Sequence, residues 1–260
     1  MFFISKIKKK SLIFLLALIS PSIIYASQNQ QWEFQVAPYL WALNMNGSVQ
    51  TGPVRTHVDE SFRDILNDLN YAGMIWLDAR KNKWDIFFNA LFSELTDKDT
   101  DFGITIKTKS KFSIYSAGVS YEIYKRSFRY KRISLRYISI EPYVGARYTL
   151  NDVTLTIPSL SIRSVNNKNW TDPYIGLKLN FIFNKQWRFV AAGDIGGVNK
   201  NHNSYDINAF VGYTLKSYQS TTFYAGLREL YQRYETGNGV DRYVWKMRIA
   251  GPLIGVAFKF

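Results

Sequence analysis

The chain alternates apolar and polar residues with a period of two, and this pattern constrains its fold more than any other feature. The alternation is clearest over 205–215, 175–183 and 84–92, and it recurs briefly at 187–191. Successive side chains of a β-strand point to opposite faces, so each segment has one apolar and one polar face. Persistent alternation of this kind is typical of a barrel or a sandwich of antiparallel strands.

Ten segments of this kind can be counted. They lie near 32–46, 70–81, 84–96, 102–124, 136–150, 173–183, 187–196, 204–216, 221–234 and 241–260. Short joins at 81–83, 184–186 and 217–220 alternate with longer polar ones at 51–70, 151–172 and 198–203. Short turns at one end and long loops at the other are typical of barrels that cross a membrane. Segments 153–157 and 160–165 are too short to cross it, so we expect them to form a hairpin above it.

Composition supports strands rather than helices as the membrane-crossing elements. Beyond the N-terminal region no run of apolar residues reaches the ~20 that a spanning helix needs, yet the chain holds 18 Phe, 18 Tyr and 7 Trp. Aromatic side chains form girdles at the two membrane interfaces of β-barrels. The sequence therefore predicts an all-β fold, a transmembrane antiparallel up-and-down β-barrel of ten strands; eight or twelve strands are also compatible with the pattern.

The first 26 residues predict a cleaved signal peptide. Lys6, Lys8 and Lys9 belong to a basic segment that precedes the apolar run 12–19, Pro21 ends that run, and Ala26 is a small residue suited to cleavage. Residues 1–26 are thus predicted to direct export and residues 27–260 to form the barrel. An exported chain of this kind is expected in a bacterial outer membrane.

The charge and cysteine content exclude several classes of protein. Without cysteine there is no lipoprotein anchor, disulfide or thiolate metal site. The net charge of +13 falls to +9 without the four Lys of the signal peptide. Export argues against nucleic acid as the partner of this basic chain, so we expect outer-membrane lipids and lipopolysaccharide, which Lys107, Lys109 and Lys111 are placed to meet. No metal cluster, phosphate-binding glycine loop or nucleotide motif is present, so no cofactor is expected.

The C-terminal residues resemble the assembly signal of bacterial outer-membrane barrels. Gly255, Phe258 and Phe260 place a glycine, a hydrophobic residue and a terminal aromatic at the positions of that signal. The resemblance implies recognition by the barrel-assembly machinery. A closed barrel leaves no free sheet edge, which favours a monomer.

The first third of the chain is similar to a family of Gram-negative outer-membrane barrels of no settled function. The similarity lies in the segments 37–42, 61–66 and 79–84, together with Gly47, Ala72 and Met74. It covers residues 32 to about 95 and implies the barrel fold, while implying little about activity.

Charged residues recur on the polar faces of the predicted strands and should point into the barrel. They are Asp78, Arg80, Asp85, Glu141, Arg147, Lys178, Arg188, Asp194, Asp206 and Arg228. They are interpreted either as a selectivity path for a small charged solute or as an ion-pair network that fills the interior. An aromatic–any–glycine triplet on the same faces, at 143–145, 174–176, 210–212 and 224–226, is interpreted as structural, with the aromatic ring covering the glycine.

Two loop segments are candidate sites. Phe62, Ile65, Leu66 and Leu69 have helical spacing and predict a short helix in the first extracellular loop, acting as a plug or packing on the rim. The order His202–Asn203–Ser204 resembles that of outer-membrane acyl hydrolases, although no third partner is identifiable and Tyr205 departs from their pattern.

From these observations the sequence favours a non-enzymatic barrel with a structural or surface-interaction role in the envelope. A narrow porin-like channel for small charged solutes and a lipid-modifying hydrolase are the alternatives.

Overall fold

A computed structural model describes residues 31–101, 104–128 and 135–260 of the chain. The predicted signal peptide lies outside this range. The described residues form one antiparallel sheet whose strands are, in chain order, β1 (Glu33–Trp41), β2 (Asn44–Thr51), β3 (Val54–Glu60), β4 (Leu69–Lys81), β5 (Trp84–Asp101), β6 (Ile104–Tyr121), β7 (Tyr124–Ser127), β8 (Tyr137–Ile157), β9 (Ile162–Ile182), β10 (Trp187–Asn199), β11 (His202–Thr214), β12 (Thr221–Thr236) and β13 (Tyr243–Lys259). One α-helix, α1 (Phe62–Asp68), and 3-10 turns at Pro158–Leu160 and Gly239–Asp241 complete the elements.

The sheet closes on itself as a barrel of ten strands, which confirms the predicted fold. The neighbours run β1, β4, β5, β6, β8, β9, β10, β11, β12, β13, and β13 returns to β1. The strand β2 continues β1 along the same edge of β13, while β7 continues β6 along β8, so each pair counts as one barrel strand. Backbone hydrogen bonds between Phe34 and Phe260 complete the closure.

The two ends of the barrel differ only partly as the joins predict: the join at 198–203, predicted to be long, is a tight turn between β10 and β11, and most of 151–172 is strand. The turns at 82–83, 183–186 and 215–220 are short, whereas β8 and β9 extend well beyond the last pairing of β9 with β10 and end in the 3-10 turn Pro158–Leu160. The predicted hairpin at 153–165 is therefore the direct continuation of these two strands. In outer-membrane barrels the short-turn end faces the periplasm and the long-loop end faces outward, and we name the two ends accordingly.

The outer surface carries an apolar band between aromatic rings. Ile175, Ile207 and Leu227 are among the large apolar side chains exposed on the outside. Trp84 packs on Tyr121, and Trp187 packs on Tyr213, at the periplasmic end of the band. Exposed apolar side chains bounded by aromatic girdles match a surface that contacts lipid. Among the described residues no helix is long and apolar enough to cross a membrane.

The short helix α1 lies in the outer wall above the end of β4. Ser61 caps it through a capping box with Asp64, in which the Ser61 hydroxyl accepts from the Asp64 backbone N–H and the Asp64 carboxylate accepts from the Ser61 N–H. The strand β3 pairs only with β2, and the residues of β5 beyond Leu95 pair only with β6. The helix therefore bridges two strands that are not hydrogen bonded to each other.

Candidate functional site

The interior of the barrel is the candidate site, and a cluster of apolar side chains occupies much of its extracellular half, beside buried polar residues such as Asp172 and Gln232. Twelve buried residues pack together there, and we call them the apolar core: Trp41, Leu43, Leu91, Phe112, Ile114, Trp170, Leu230, Tyr243, Trp245, Met247, Ile249 and Leu253. Leu230 is 0 %, Met247 1 % and Ile249 1 % exposed. Ring stacking ties the strands together, with Phe112 on Trp245 at 5.6 Å and Trp170 on Tyr234 at 4.8 Å between centroids. Aromatic pairs at such distances add to the stabilisation that burial provides.

Sequence reasoning missed the apolar core because it assigned apolar residues to the lipid face along whole strands. In β13 the charged Lys246 and Arg248 are exposed, while Trp245, Met247 and Ile249 between them are buried inside. Nearer the periplasm, Ile254 is the exposed residue of the outer face. The polarity of the two faces is therefore inverted where the strand rises above the lipid, and this inversion is a signal that the sequence contains.

The periplasmic half of the interior holds a cavity of about 490 Å³. All ten charged residues predicted for the interior line it. It extends from Asn82 and Lys125 near the short turns up to Arg147 and Arg228 beneath the apolar core. The charged and apolar halves are thus stacked along the barrel axis.

Four of the charged residues form a neutral group near the short turns, which we call the lower quartet: Arg80, Asp85, Glu141 and Lys178. Arg80 donates to Asp85 at 3.2 Å and to Glu141 at 2.8 Å, and Lys178 Nζ lies 2.7 Å from Asp85 and 3.0 Å from Glu141. Register places Arg80 opposite Asp85 on β4 and β5, and Glu141 opposite Lys178 on β8 and β9. Each base therefore contacts both acids, and the group carries no net charge.

A second neutral group, the upper quartet, lies directly below the apolar core: Arg147, Asp194, Asp206 and Arg228. Asp194 and Asp206 are directly opposite on β10 and β11, a like-charged pairing that is destabilising on its own. Arg147 lies 2.9 Å from Asp194 and 3.4 Å from Asp206, and Arg228 lies 2.6 Å from Asp206. The two guanidinium groups, from β8 and β12, thus neutralise the acidic pair on β10 and β11.

Aromatic rings join the upper quartet to its surroundings. The Arg228 guanidinium stacks over Trp41 of the apolar core at 4.8 Å, and that of Arg147 over Tyr174 at 4.9 Å. Tyr174 lies opposite Gly145, and Tyr143 lies opposite Gly176, so each ring covers the glycine on the neighbouring strand. A Cβ added to Gly176 would lie 2.3 Å from the Tyr143 ring. The aromatic–glycine triplets therefore pack reciprocally across β8 and β9.

Asp78 and Arg188 belong to neither quartet. Asp78 accepts hydrogen bonds from Gln35 and Trp76, both at 2.8 Å, and Arg188 donates to the Thr214 hydroxyl at 3.1 Å. Within the described part of the chain neither has an oppositely charged group within 4 Å. Eight of the ten predicted residues are thus paired with opposite charges in the two quartets. Among the described residues, Asp78 and Arg188 have no such ionic partner.

The remaining sequence candidates lie elsewhere. His202 contacts Asp172 at 2.5 Å, while the Ser204 hydroxyl receives a hydrogen bond from Arg147 at 3.3 Å. Asp172 is therefore an acidic partner for His202 that the sequence did not identify, whereas the Ser204 hydroxyl is held by Arg147. Lys109 is half-buried and Lys111 exposed at the outer rim, where they pair with Glu94 at 2.9 and 3.8 Å.

The helix α1 stays at the rim rather than entering the barrel. None of its residues is buried, and Phe62 and Leu66 are exposed. Ile65 packs against the apolar core from above, and Leu69 is the first residue of β4. The position that a plug would occupy is filled by the apolar core instead.

The residues of the predicted assembly signal lie on β13 beside the closing strand. Gly255 is opposite Tyr39 and Phe258 opposite Val36 on β1, and Phe260 is exposed next to Phe34. They therefore border the seam that closes the barrel.

Comparison with known proteins identifies the fold. No family model matches the chain, and no curated protein matches it in sequence. The crystal structure of the outer membrane protease OmpT from Escherichia coli is similar over 91 % of this chain and 99 % of that chain, with 7 % identity and a TM-score of 0.57. The transport unit of the autotransporter AIDA-I from Escherichia coli (96 % and 94 % covered, 8 % identity, TM-score 0.44) and Ail from Yersinia pestis (89 % and 100 % covered, 10 % identity, TM-score 0.37) are more distant. The chain thus has the fold of the outer-membrane β-barrels.

Proposed function

We propose that the protein is a closed, non-conducting barrel of the bacterial outer membrane that serves a structural or surface-interaction role and has no enzymatic activity. The observation that carries this proposal is the apolar core, which occupies the extracellular half of the interior. An ion crossing the barrel would lose its hydration among buried Trp, Leu, Met and Ile side chains, and this costs several kcal/mol or more. Apolar constrictions also exclude water and so prevent conduction.

The outer surface supports the proposed location and partners. The exposed apolar band suits lipid, and Lys109 and Lys111 at the rim suit lipopolysaccharide phosphates. The seam residues Gly255, Phe258 and Phe260 suit recognition by the barrel-assembly machinery before closure. Because the closed sheet leaves no free edge in the membrane, we propose a monomer.

Ion conductance in a planar lipid bilayer tests the proposal. The refolded wild-type protein should remain silent, whereas the double variant Trp170→Ala with Trp245→Ala should show discrete steps because it removes two rings from the apolar core. The variant Trp187→Ala, which changes an exposed ring on the outer surface, is the matched control and should stay silent. Steps from the folded wild-type barrel would overturn the proposal.

A narrow channel is the second candidate, because the charged cavity reaches halfway through the barrel. It requires the apolar core to rearrange, and it predicts wild-type conductance that changes when Arg147 or Arg188 is neutralised. Lipid hydrolysis has less support, since Ser204 is buried and receives a hydrogen bond from Arg147. An unchanged lipid profile in cells expressing His202→Ala would remove that alternative.

A further inference from the structure

The periplasmic cavity has one acidic and one basic group that the protein itself leaves without an ionic partner. Eight of its charged residues cancel within the two quartets, and the pairs Glu122–Lys125 and Glu33–Lys259 also line it, at 3.4 and 3.9 Å. Asp78 and Arg188 remain, and among the described residues neither meets an opposite charge within 4 Å. Charged side chains inside proteins are usually paired because leaving an ion poorly solvated is costly. An unpaired acid and base lining one cavity therefore mark where a ligand can supply the missing charges.

The surroundings of Asp78 suit an ammonium group. Its carboxylate is held by Gln35 Nε2 and Trp76 Nε1. The Trp76 ring stacks on Phe87 at 5.6 Å, and Phe87 meets Tyr143 edge to face at 5.7 Å. All of these side chains line the cavity. A carboxylate beside aromatic faces is favourable for a cation, because the ring quadrupole attracts positive charge.

The surroundings of Arg188 suit an anion. The aliphatic part of the Arg188 side chain packs over Gly212. A Cβ added to Gly212 would lie 2.7 Å from the Arg188 Cγ and 2.7 Å from the Tyr224 ring. The absence of a side chain at Gly212 thus lets Arg188 lie along the wall and reach Thr214. Lys259 lines the same cavity and its nearest acid is Glu33 at 3.9 Å. A planar guanidinium supported by a second base is well suited to a carboxylate or phosphate.

The two groups face each other across the interior. In the closed order of strands, β4 with Asp78 and β10 with Arg188 are five positions apart in either direction. The cavity between them, about 490 Å³, lies within the range of small-molecule sites, roughly 300–1,000 Å³. A ligand with opposite charges at its two ends would therefore complete both groups at once.

We propose that this cavity binds a small zwitterion, a molecule in which an ammonium group is joined by a short chain to a carboxylate or phosphate. The ammonium contacts Asp78 and the aromatic wall of Trp76 and Phe87. The anionic end contacts Arg188 and Lys259. The apolar core closes the far side, so the cavity is a blind pocket that fills from the periplasm. This proposal goes beyond the structural role and does not depend on whether the barrel conducts.

Isothermal titration calorimetry on the full barrel, refolded in detergent micelles, tests the proposal. The probes are glycine, 4-aminobutyrate and 6-aminohexanoate, which vary the distance between the charges, and O-phosphoethanolamine, which replaces the carboxylate by a phosphate. At least one of them should bind, and butylamine and butyrate, each with one of the two charges, should bind at least tenfold more weakly. Folding of every variant is checked by its heat-modifiable migration in gels.

Substitutions then assign the two ends. Asp78→Asn should weaken binding of the best zwitterion at least tenfold while leaving butyrate unaffected, and Arg188→Gln should do the same while leaving butylamine unaffected. Gly212→Ala, which displaces Arg188 without removing its charge, should also weaken the zwitterion. Glu229→Gln and Arg248→Gln change an ion pair on the outer surface and should leave binding unchanged.

Two results would overturn the proposal. One is the absence of binding by all four zwitterions to the folded wild-type barrel. The other is binding that Asp78→Asn and Arg188→Gln leave intact. Neither result bears on the conductance of the barrel, so failure of this proposal is distinguishable from failure of the proposed closed, structural role.

Discussion

The two halves of the barrel interior are filled by different kinds of side chain. The extracellular half is packed by the apolar core beside buried polar groups such as Asp172, which contacts His202. The periplasmic half is lined by the ten predicted charged residues, eight of which are held in neutral quartets by contacts of 2.6–3.4 Å, and by the pairs Glu33–Lys259 and Glu122–Lys125. The extracellular half is closely packed, whereas the periplasmic half keeps a cavity. The difference shows that the two ends of one closed barrel can be filled to different extents.

The largest expected effect comes from breaking a quartet. Arg147→Met keeps the size of the side chain but leaves Asp194 and Asp206 opposite each other with one remaining base. Arg147 is 1 % exposed, and removing one partner of a buried ion pair costs about 3–5 kcal/mol. Urea unfolding in micelles, followed by tryptophan fluorescence, should show this loss. Arg248→Met, at the exposed ion pair with Glu229, should leave the urea midpoint of unfolding nearly unchanged. An equal shift of that midpoint in both variants would contradict the role of burial.

The next effect concerns the apolar core. Leu230→Ala removes a fully buried side chain and should cost about 2–5 kcal/mol. Leu227→Ala on the same strand, whose side chain is 64 % exposed on the outer face, should cost less. The same unfolding measurement compares them. Equal losses would mean that the extracellular half is less tightly packed than the structure indicates.

A smaller effect should follow from filling the space that an aromatic ring occupies. Gly176→Ala brings a Cβ to 2.3 Å from the Tyr143 ring and 2.6 Å from the Gly193 carbonyl oxygen, and overpacking of this kind costs about 1–3 kcal/mol. The matched control is Gly193→Ala, because its added Cβ meets nothing nearer than 3.7 Å. If both variants unfold at the same urea concentration as the wild type, the reciprocal packing of rings and glycines contributes nothing to stability.

The smallest effect concerns the charges at the outer rim, which solvent screens. Burial, and then the nearby Asp64, raise the pKa of Glu60 above its usual 4.5, and burial and Asp97 raise the pKa of Asp68. The folded segment therefore holds these protons more tightly than the opened one, so its stability is greatest at low pH and is lost as pH rises through the raised pKa values. Amide exchange in β3 and α1, corrected for intrinsic rates, should be slower at about pH 4 than at about pH 7.

Glu60→Gln tests that assignment. It should reduce the difference between the two pH values without abolishing it, because Asp68 remains. The lowered pKa of Asp64, caused by its hydrogen bonds with Ser61, acts below 3.8 and so outside this window. An unchanged difference in the variant would show that Glu60 does not contribute.

Local patterning located the strands that close the barrel, but it missed the hairpin β2–β3 and the unbroken extension of β8 and β9 into the hairpin at 153–165, which lie largely in segments predicted as loops. Alternation along 205–215 and 175–183 located β11 and β9, the spacing of Phe62, Ile65 and Leu66 located α1, and the ten-strand count is confirmed. These features depend on neighbours two to four residues apart. They can therefore be read from one sequence.

The grouping of the interior charges could not be predicted in the same way. Arg147 on β8 meets Asp206 on β11 only because closure and register bring strands three positions apart to one point. Alternation tells which face a residue occupies but not which residue it meets across the interior. For the same reason nothing in the sequence distinguishes Asp78 and Arg188 from the eight residues that are paired.

The position of β13 determines when the interior can form. This strand pairs with β12 on one side and with β1 and β2 on the other, and it supplies Tyr243, Trp245, Met247, Ile249 and Leu253 to the apolar core. Until it docks, the interior lacks five of the twelve residues of the apolar core. Closing the sheet and completing its core therefore depend on the same strand.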